Sequence, residues 1–224
     1  MGGFFSYEGK FSQVMNKIVD IVVTSFLWVV FCIPIFTIGA STTALFTVIR
    51  QVIRQEKGYV FRNFWNAFKS NFKQATGIWL LLFAIYVVLY LDRYLMLNYF
   101  LPQGSPIGAL HIFFTFLMVY ETIWAVYIFA YISRFELDWK HILKNAAILS
   151  VTNLPWSALM TGMVILAGIL IRYVSPALIF VFPAGFGWIF SIILERIFRK
   201  YMTPEDLKKL EEEEAALKEN GGRR

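Results

Sequence analysis

The chain has 224 residues, of which 58% are hydrophobic and 16% charged, and its mean hydropathy is +0.60. Soluble domains carry roughly a quarter of charged residues, so the composition argues against a water-soluble fold. The net charge is +6, but the basic residues flank apolar stretches, which is typical of membrane orientation and argues against nucleic-acid binding. Cys32 is the only cysteine, which excludes an intrachain disulfide and a thiolate metal cluster.

Long stretches without charge dominate the sequence. A hydrocarbon core about 30 Å thick needs about 20 helical residues to cross it, and in lipid each helix satisfies its own backbone hydrogen bonds. We therefore predict an all-α, polytopic membrane helix bundle with about five transmembrane helices, near residues 18–38, 75–92, 108–132, 146–170 and 177–195. Residues 1–202 form this multi-pass membrane domain, and residues 203–224 are predicted to form a charged cytoplasmic tail helix.

Basic residues are concentrated in the segments after the first, third and fifth predicted spans. By the positive-inside rule these segments face the cytoplasm. The pattern predicts a protein of the plasma membrane with a cytoplasmic carboxyl terminus and an amino terminus outside. The residues that carry this prediction are Arg50, Arg54, Lys57, Arg62, Lys69, Lys73, Arg134, Lys140, Lys144, Arg196, Arg199 and Lys200.

The first apolar stretch, residues 21–49, allows two other interpretations. It contains Pro34 and Gly39, so it could bend into a re-entrant hairpin that leaves the amino terminus inside. A cleaved signal peptide ending near Ala40 is the third interpretation, although the apolar run is long for a signal core.

Aromatic and basic residues then repeat with helical periodicity. After Gly58, five aromatic residues form one stripe with basic residues opposite, and a weaker pattern of the same kind precedes the fourth span. Such helices lie on the cytoplasmic interface, either as anchors in the headgroup region or as a docking surface for a partner. The candidate surface comprises Arg50, Arg54, Phe61, Phe64, Trp65, Phe68, Lys69, Phe72 and Lys73.

Glu121 is the candidate functional residue inside the membrane. It lies in the middle of the third predicted span, where a charged carboxylate costs roughly 2.5 to 3.5 kcal/mol on insertion scales. It is either a neutral acid that holds helices together or a proton or substrate site. Pro183 is expected to free the carbonyl of Ile179, which a protonated Glu121 would bind.

The sequence lacks a recognisable catalytic or metal-binding motif. His111 stands alone, without a second ligand at metal-binding spacing. HExxH, phosphate-loop and GxSxG motifs do not occur. We therefore expect no enzymatic activity, no cofactor and no metal.

The run IPIFTIGASTTALFTVIRQVIRQEKGYVFRNFWNAFKSNFKQ, residues 33–74, resembles the signature of the YesL family of bacterial integral membrane proteins. The resemblance implies a small multi-pass protein, often encoded among carbohydrate-utilisation genes near sugar ABC importers. It brings no catalytic residues. The positions that carry it are Pro34, Thr37, Gly39, Thr43, Ala44, Gly58, Phe61, Phe64, Phe68, Asn71 and Phe72.

These observations lead to two functional expectations. The first is an auxiliary component of carbohydrate uptake, in contact with the lipid bilayer and with the membrane subunits of a sugar ABC importer. The alternative is a small transporter or channel that uses Glu121. A homo-oligomer is compatible with either, and no nucleic acid partner is expected.

Overall fold

The structure is a computed structural model that describes residues 10–54, 58–135, 137–202 and 208, without the side chains of residues 10–13 and 54. The described residues form helices and no strand, which confirms the all-α class. The predicted tail helix, residues 203–224, lies outside the described residues except for Lys208. The helices are α1 Lys10–Cys32, α2 Ile38–Val48, α3 Val60–Leu95, α4 Leu110–Ile132, α5 Trp139–Thr152, α6 Leu154–Tyr173 and α7 Phe182–Tyr201.

Short helical turns connect or extend these elements. π-Helical turns prolong α2 over Ile49–Arg54 and α3 over Met96–Phe100. Turns of 3-10 helix lie ahead of α2, α4 and α7, at Ile35–Thr37, Pro106–Ala109 and Pro176–Phe180.

Five helical stretches of the described chain are long and apolar enough to cross a membrane, which supports a membrane protein. They are Val14–Cys32, Ile35–Ile53, Val60–Phe100, Pro106–Ile132 and Leu154–Tyr173. Their number agrees with the prediction, but the set differs from it. The stretch Ile35–Ile53 is an additional helix, and α7 does not qualify, because its last two turns carry Glu195, Arg196, Arg199 and Lys200.

The predicted first span, residues 18–38, is divided between two antiparallel helices. Residues that precede proline disfavour the helical conformation, and α1 ends at Cys32, two residues before Pro34. The indole N–H of Trp28 donates to the Thr42 hydroxyl at 3.1 Å, and Ile21, nearly two turns earlier, packs against the cluster that contains Ile49. This is the helical hairpin that the sequence allowed as an alternative.

Helix α2 is the central element of the bundle. It is largely enclosed by protein, whereas less than a third of each of the other four candidate spans is buried. A Cβ atom added to Gly39 would lie 2.5 Å from the Ala75 carbonyl oxygen and 2.6 Å from the Trp79 Cβ. Only glycine therefore allows α2 to approach α3 this closely.

The predicted amphipathic helix after Gly58 and the predicted second span, residues 75–92, form one continuous helix. Gly58 has a φ of 76°, in the left-handed region that favours glycine, and α3 then runs for 36 residues. At 1.5 Å per residue α3 is about 54 Å long, well above the roughly 30 Å of a hydrocarbon core. A perpendicular crossing therefore needs only part of α3, and the basic residues Arg62, Lys69 and Lys73 lie in its first part.

The predicted fourth span, residues 146–170, is divided at Asn153 into α5 and α6. Pro155 lies in the first turn of α6 and has no N–H to donate to the carbonyl of Val151. The Ser157 hydroxyl donates to the Ser150 carbonyl oxygen at 2.8 Å and bridges the interruption.

Candidate functional site

Glu121 is a buried acid with no hydrogen-bond partner among the described residues. It lies near the middle of α4, and only 6% of its surface is exposed. Neither of its carboxylate oxygens has a partner. The predicted hydrogen bond to Ile179 is therefore wrong. Pro183 lies in the first turn of α7, so it begins a helix and does not break one.

A row of polar contacts joins α4 to α5 and α6 beside Glu121. The tyrosine hydroxyls at positions 120, 127 and 131 lie on one face of α4 because they are seven and four residues apart. Each tyrosine hydroxyl makes one hydrogen bond to α5 or α6: Tyr120 with the Ser150 hydroxyl at 3.3 Å, Tyr127 with the Ser157 hydroxyl at 3.0 Å, and Tyr131 with Asn145 Nδ2 at 3.3 Å. We call these three hydrogen bonds the polar seam.

An ionic cluster lies at the carboxyl-terminal ends of α4 and α7. The Arg134 guanidinium binds the Glu195 carboxylate, and the side chains of Arg134 and Glu195 are only 6% and 12% exposed. Arg199 binds the other oxygen of Glu195 at 3.3 Å. The Arg134 guanidinium also lies over the Phe198 ring at 6.0 Å from its centroid. Such a pair needs close geometry because both charges are largely removed from water.

Arg50, in the π-helical turn that prolongs α2, lies beside the ionic cluster. The Nη2 atom of Arg50 donates to the Ser133 carbonyl oxygen at 3.0 Å. A cavity of about 20 Å³ lies between Arg50, Ser133, Ser191 and Glu195, which is room for about one water molecule. This cluster is not among the sites predicted from the sequence. The sequence signal that could have indicated it is Glu195, a single acid among the basic residues at the end of the last apolar segment.

The structure places the predicted aromatic stripe mostly inside the protein. Phe64 is 1% exposed and Phe68 is buried, and both rings pack on Phe31 of α1, with centroids 5.4 and 5.0 Å apart. Trp65 and Phe72 are half-buried, and Phe61 is 62% exposed. Phe64 and Phe68 are therefore core residues, and the prediction that they form a docking surface is wrong for these two positions.

The basic members of the predicted surface are distributed differently. Lys69 and Lys73 are exposed, and Lys69 Nζ lies 4.8 Å from the centroid of the Trp65 ring. Arg50 is turned towards Ser133. The side chain of Arg54 lies outside the described residues.

Exposed aromatic and basic residues lie before and on the first part of α3, and others lie before and at the start of α5. The Gln74 amide of α3 donates to the Leu137 carbonyl oxygen at 2.7 Å, which links the two segments at that point. We call these exposed residues together the basic aromatic surface. Its exposed residues are Tyr59, Phe61, Lys69, Lys73, Leu137, Trp139 and Lys140.

The part of the chain that the structure describes holds no group of three or more His, Cys, Asp or Glu side chains suited to a metal ion. His111 Nδ1 lies 2.9 Å from the Gly108 carbonyl oxygen. His111 is thus engaged with the backbone at the start of α4.

Comparisons with known proteins point to one family description. Residues 21–93 match the family model "Protein of unknown function, DUF624". The matched segment covers most of the α1–α2 hairpin and of α3, and it contains the run that resembles the YesL family. The chain is also 27% identical over 175 residues to "Uncharacterized protein YteU" of Bacillus subtilis (strain 168), and the aligned region covers 74% of each of the two chains. No solved structure matches the chain.

Proposed function

We propose that this protein is an auxiliary membrane component associated with carbohydrate uptake or utilisation, acting through contacts with partners and without catalysis of its own. The link to carbohydrate uptake rests on the resemblance to the YesL family, whose genes often lie near those of sugar ABC importers. The partners proposed on this basis are the membrane subunits of such an importer. The single observation that carries a docking role is the basic aromatic surface.

The basic aromatic surface has the chemistry of a docking site for an acidic partner. Lys69 and Lys140 each lie near an indole ring, at 4.8 and 5.8 Å from its centroid. None of Lys69, Lys73 and Lys140 forms an ion pair with an acid among the described residues. Their charges are therefore available to complement a negative surface on a partner, which favours fast and specific association.

We further propose that this surface faces the cytoplasm in the plasma membrane. The first turn of α1 lies at the same end of the hairpin as the carboxyl end of α2, because the two helices are antiparallel. The expectation of an outside amino terminus assumed a single first span. With the hairpin, the amino terminus is expected on the same side as the basic part of α3, and by the positive-inside rule we propose that this side is the cytoplasm.

Co-purification in mild detergent tests the auxiliary role. The tagged protein should retain the membrane subunits of a sugar importer, identified by mass spectrometry. Phe61→Asp and Trp139→Asp should weaken this retention, because both residues are exposed on the basic aromatic surface. Tyr173→Asp is the matched control, since it places the same charge on an exposed aromatic residue at the far end of α6. Retention unaffected by the two surface variants, or no importer subunit at all, would contradict the proposal.

A small transporter or channel is the alternative, and the buried, unpartnered Glu121 favours it. Ionisable residues inside a membrane commonly mark ion or substrate pathways. In this case the purified protein, as a monomer or a homo-oligomer, should move protons or a sugar across liposomes by itself, and Glu121→Ala should stop that movement. Absence of any flux in the wild-type protein would reject this alternative.

A further inference from the structure

We propose that Glu121 is a proton-binding site, a neutral carboxylic acid in the membrane interior at neutral pH that exchanges its proton along the polar seam. The inference deepens the transporter alternative and rests with it on Glu121 lying within a membrane-spanning helix. It does not depend on the auxiliary role.

The surroundings of Glu121 identify the proton as the ligand. The side chain is buried and neither oxygen accepts a hydrogen bond from the described residues, so an ionised carboxylate would have no donor to stabilise it. Metal cations that prefer oxygen ligands need several of them, and the described part of the chain offers no cluster of acids around this position. A proton needs only the carboxyl group itself.

The charged groups on neighbouring helices are engaged elsewhere or lie away from the middle of the span. On α4 itself, Arg134 follows the helix and binds Glu195 of α7. On α3, Arg93 donates to Thr115, six residues before Glu121. None of the described basic groups forms an ion pair with Glu121. The other titratable groups on elements beside α4 are Arg50 in the turn that prolongs α2; Arg62, Lys69, Lys73, Tyr86, Tyr90, Asp92 and Tyr94 of α3; Tyr99 in the turn that extends α3; Lys140, His141 and Lys144 of α5; Arg172 and Tyr173 of α6; and Arg196, Arg199, Lys200 and Tyr201 of α7.

The polar seam supplies a route for exchange. It begins at Tyr120, the residue next to Glu121, and its contacts follow α4 towards the end at which the ionic cluster lies. Successive residues of a helix point about 100° apart, so Glu121 lies on the flank of the seam. Hydroxyl groups both donate and accept hydrogen bonds, so the seam can take up a proton when the Glu121 carboxyl swings towards Tyr120, a contact that is not made in this structure.

Infrared spectroscopy of the full-length protein in lipid tests the proposal directly. The C=O stretching band of a protonated carboxyl should be present at neutral pH, disappear in alkaline buffer and shift when the sample is moved into D₂O. Glu121→Gln should remove this band completely. Asp20→Asn is the matched control, because Asp20 also lies in an apolar helix, and the band should persist in this variant. Tyr127→Phe, which interrupts the seam, should slow the D₂O shift.

Two results would overturn the proposal. If the wild-type and Glu121→Gln proteins have the same band intensity at neutral pH, Glu121 is ionised and the proton site does not exist. A band that fails to shift in D₂O would contradict exchange along the seam. If Glu121→Gln does not fold, the pH dependence of the wild-type band compared with that of Asp20→Asn still decides the question. If the C=O band behaves as expected but the protein moves no protons across liposomes, the transporter alternative is rejected and the proton-binding site stands.

Discussion

At the scale of single residues, two glycines determine how closely α2 approaches its neighbours. Gly39 faces Ala75 and Trp79 of α3, and a Cβ atom on Gly187 of α7 would lie 2.7 Å from Ile49 and 2.9 Å from Leu45. Close approach of this kind is how helices associate in lipid, where apolar burial gives little drive. Gly39 is sensitive to the smallest addition of volume because it faces a backbone oxygen, whereas Gly187 faces the ends of two flexible side chains, which can move.

We predict that Gly39→Ala lowers stability, because the new methyl group meets the Ala75 carbonyl oxygen and the Trp79 Cβ of α3, which cannot move without the helix. Overpacking of this kind costs about 1–3 kcal/mol. The midpoint of thermal unfolding in detergent measures the effect. Gly77→Ala is the control, since nothing lies within 4 Å of its added Cβ, and its midpoint should stay the same or rise. Equal loss in both variants would contradict close packing at Gly39.

A second prediction concerns the ion pair of Arg134 and Glu195. Removing one member of a buried pair leaves an uncompensated charge and costs about 3–5 kcal/mol, and we expect the lower end because Arg199 remains on Glu195. Arg134→Met should therefore lower the unfolding midpoint strongly, whereas Arg62→Met, at an exposed position of α3, should not. Adding Glu195→Met to Arg134→Met should restore part of the loss. A double variant as unstable as the sum of the two single variants would show that the pair contributes no coupling.

At the scale of helices, the periodicity of apolar residues identified a buried face but not its partner. Phe64 and Phe68 repeat at helical spacing, which is equally compatible with a lipid interface, a docked protein or the interior of the chain itself. Phe31, whose ring fills the space between them, lies more than 30 residues earlier, and nothing in the local sequence indicates that contact. The same limit applies to Arg134 and Glu195, which are 61 residues apart.

The prediction of helix boundaries also relied on local sequence patterns. The apolar runs and the amphipathic segment after Gly58 were predictable, because lipid requires long uncharged helices. An uncharged run of 29 residues, 21–49, fits one long helix or two short ones, and only the contacts of Trp28 with Thr42 distinguish them. The candidate site was predictable as a residue, Glu121, but its lack of a hydrogen-bond partner among the described residues was not.

We predict that Phe64→Ala destabilises the protein and Phe61→Ala does not, although both residues belong to one predicted stripe. Truncating a buried phenylalanine costs about 3–5 kcal/mol, and Phe64 is 1% exposed against 62% for Phe61. Thermal unfolding in detergent compares the two variants. If Phe61→Ala were the more harmful change, the assignment of Phe64 to the core would be wrong.

At the scale of the whole molecule, α2 is surrounded by other helices and the remaining candidate spans present apolar residues outwards. Exposed large apolar side chains are spread along α1, α3, α4 and α6, as expected for helices that face lipid. The basic aromatic surface and the ionic cluster lie towards the ends of helices. Apolar side chains thus cover the middle of the bundle and charged groups lie at one end. The proposed docking role requires this separation, because the charged end must lie outside the lipid to meet a partner.

The hairpin of α1 and α2 inside a membrane is the central claim, and cysteine accessibility in intact cells tests it most directly. In a Cys32→Ser background, single cysteines replace Asn16 near the start of α1, Lys69 in the basic part of α3, and Gln103 in the connection between α3 and α4; all three positions are exposed. A membrane-impermeant maleimide should label Gln103→Cys in intact cells, and Asn16→Cys and Lys69→Cys only after permeabilisation. Labelling of Asn16→Cys together with Gln103→Cys in intact cells would mean that a single span separates Asn16 from Lys69, and would contradict the hairpin.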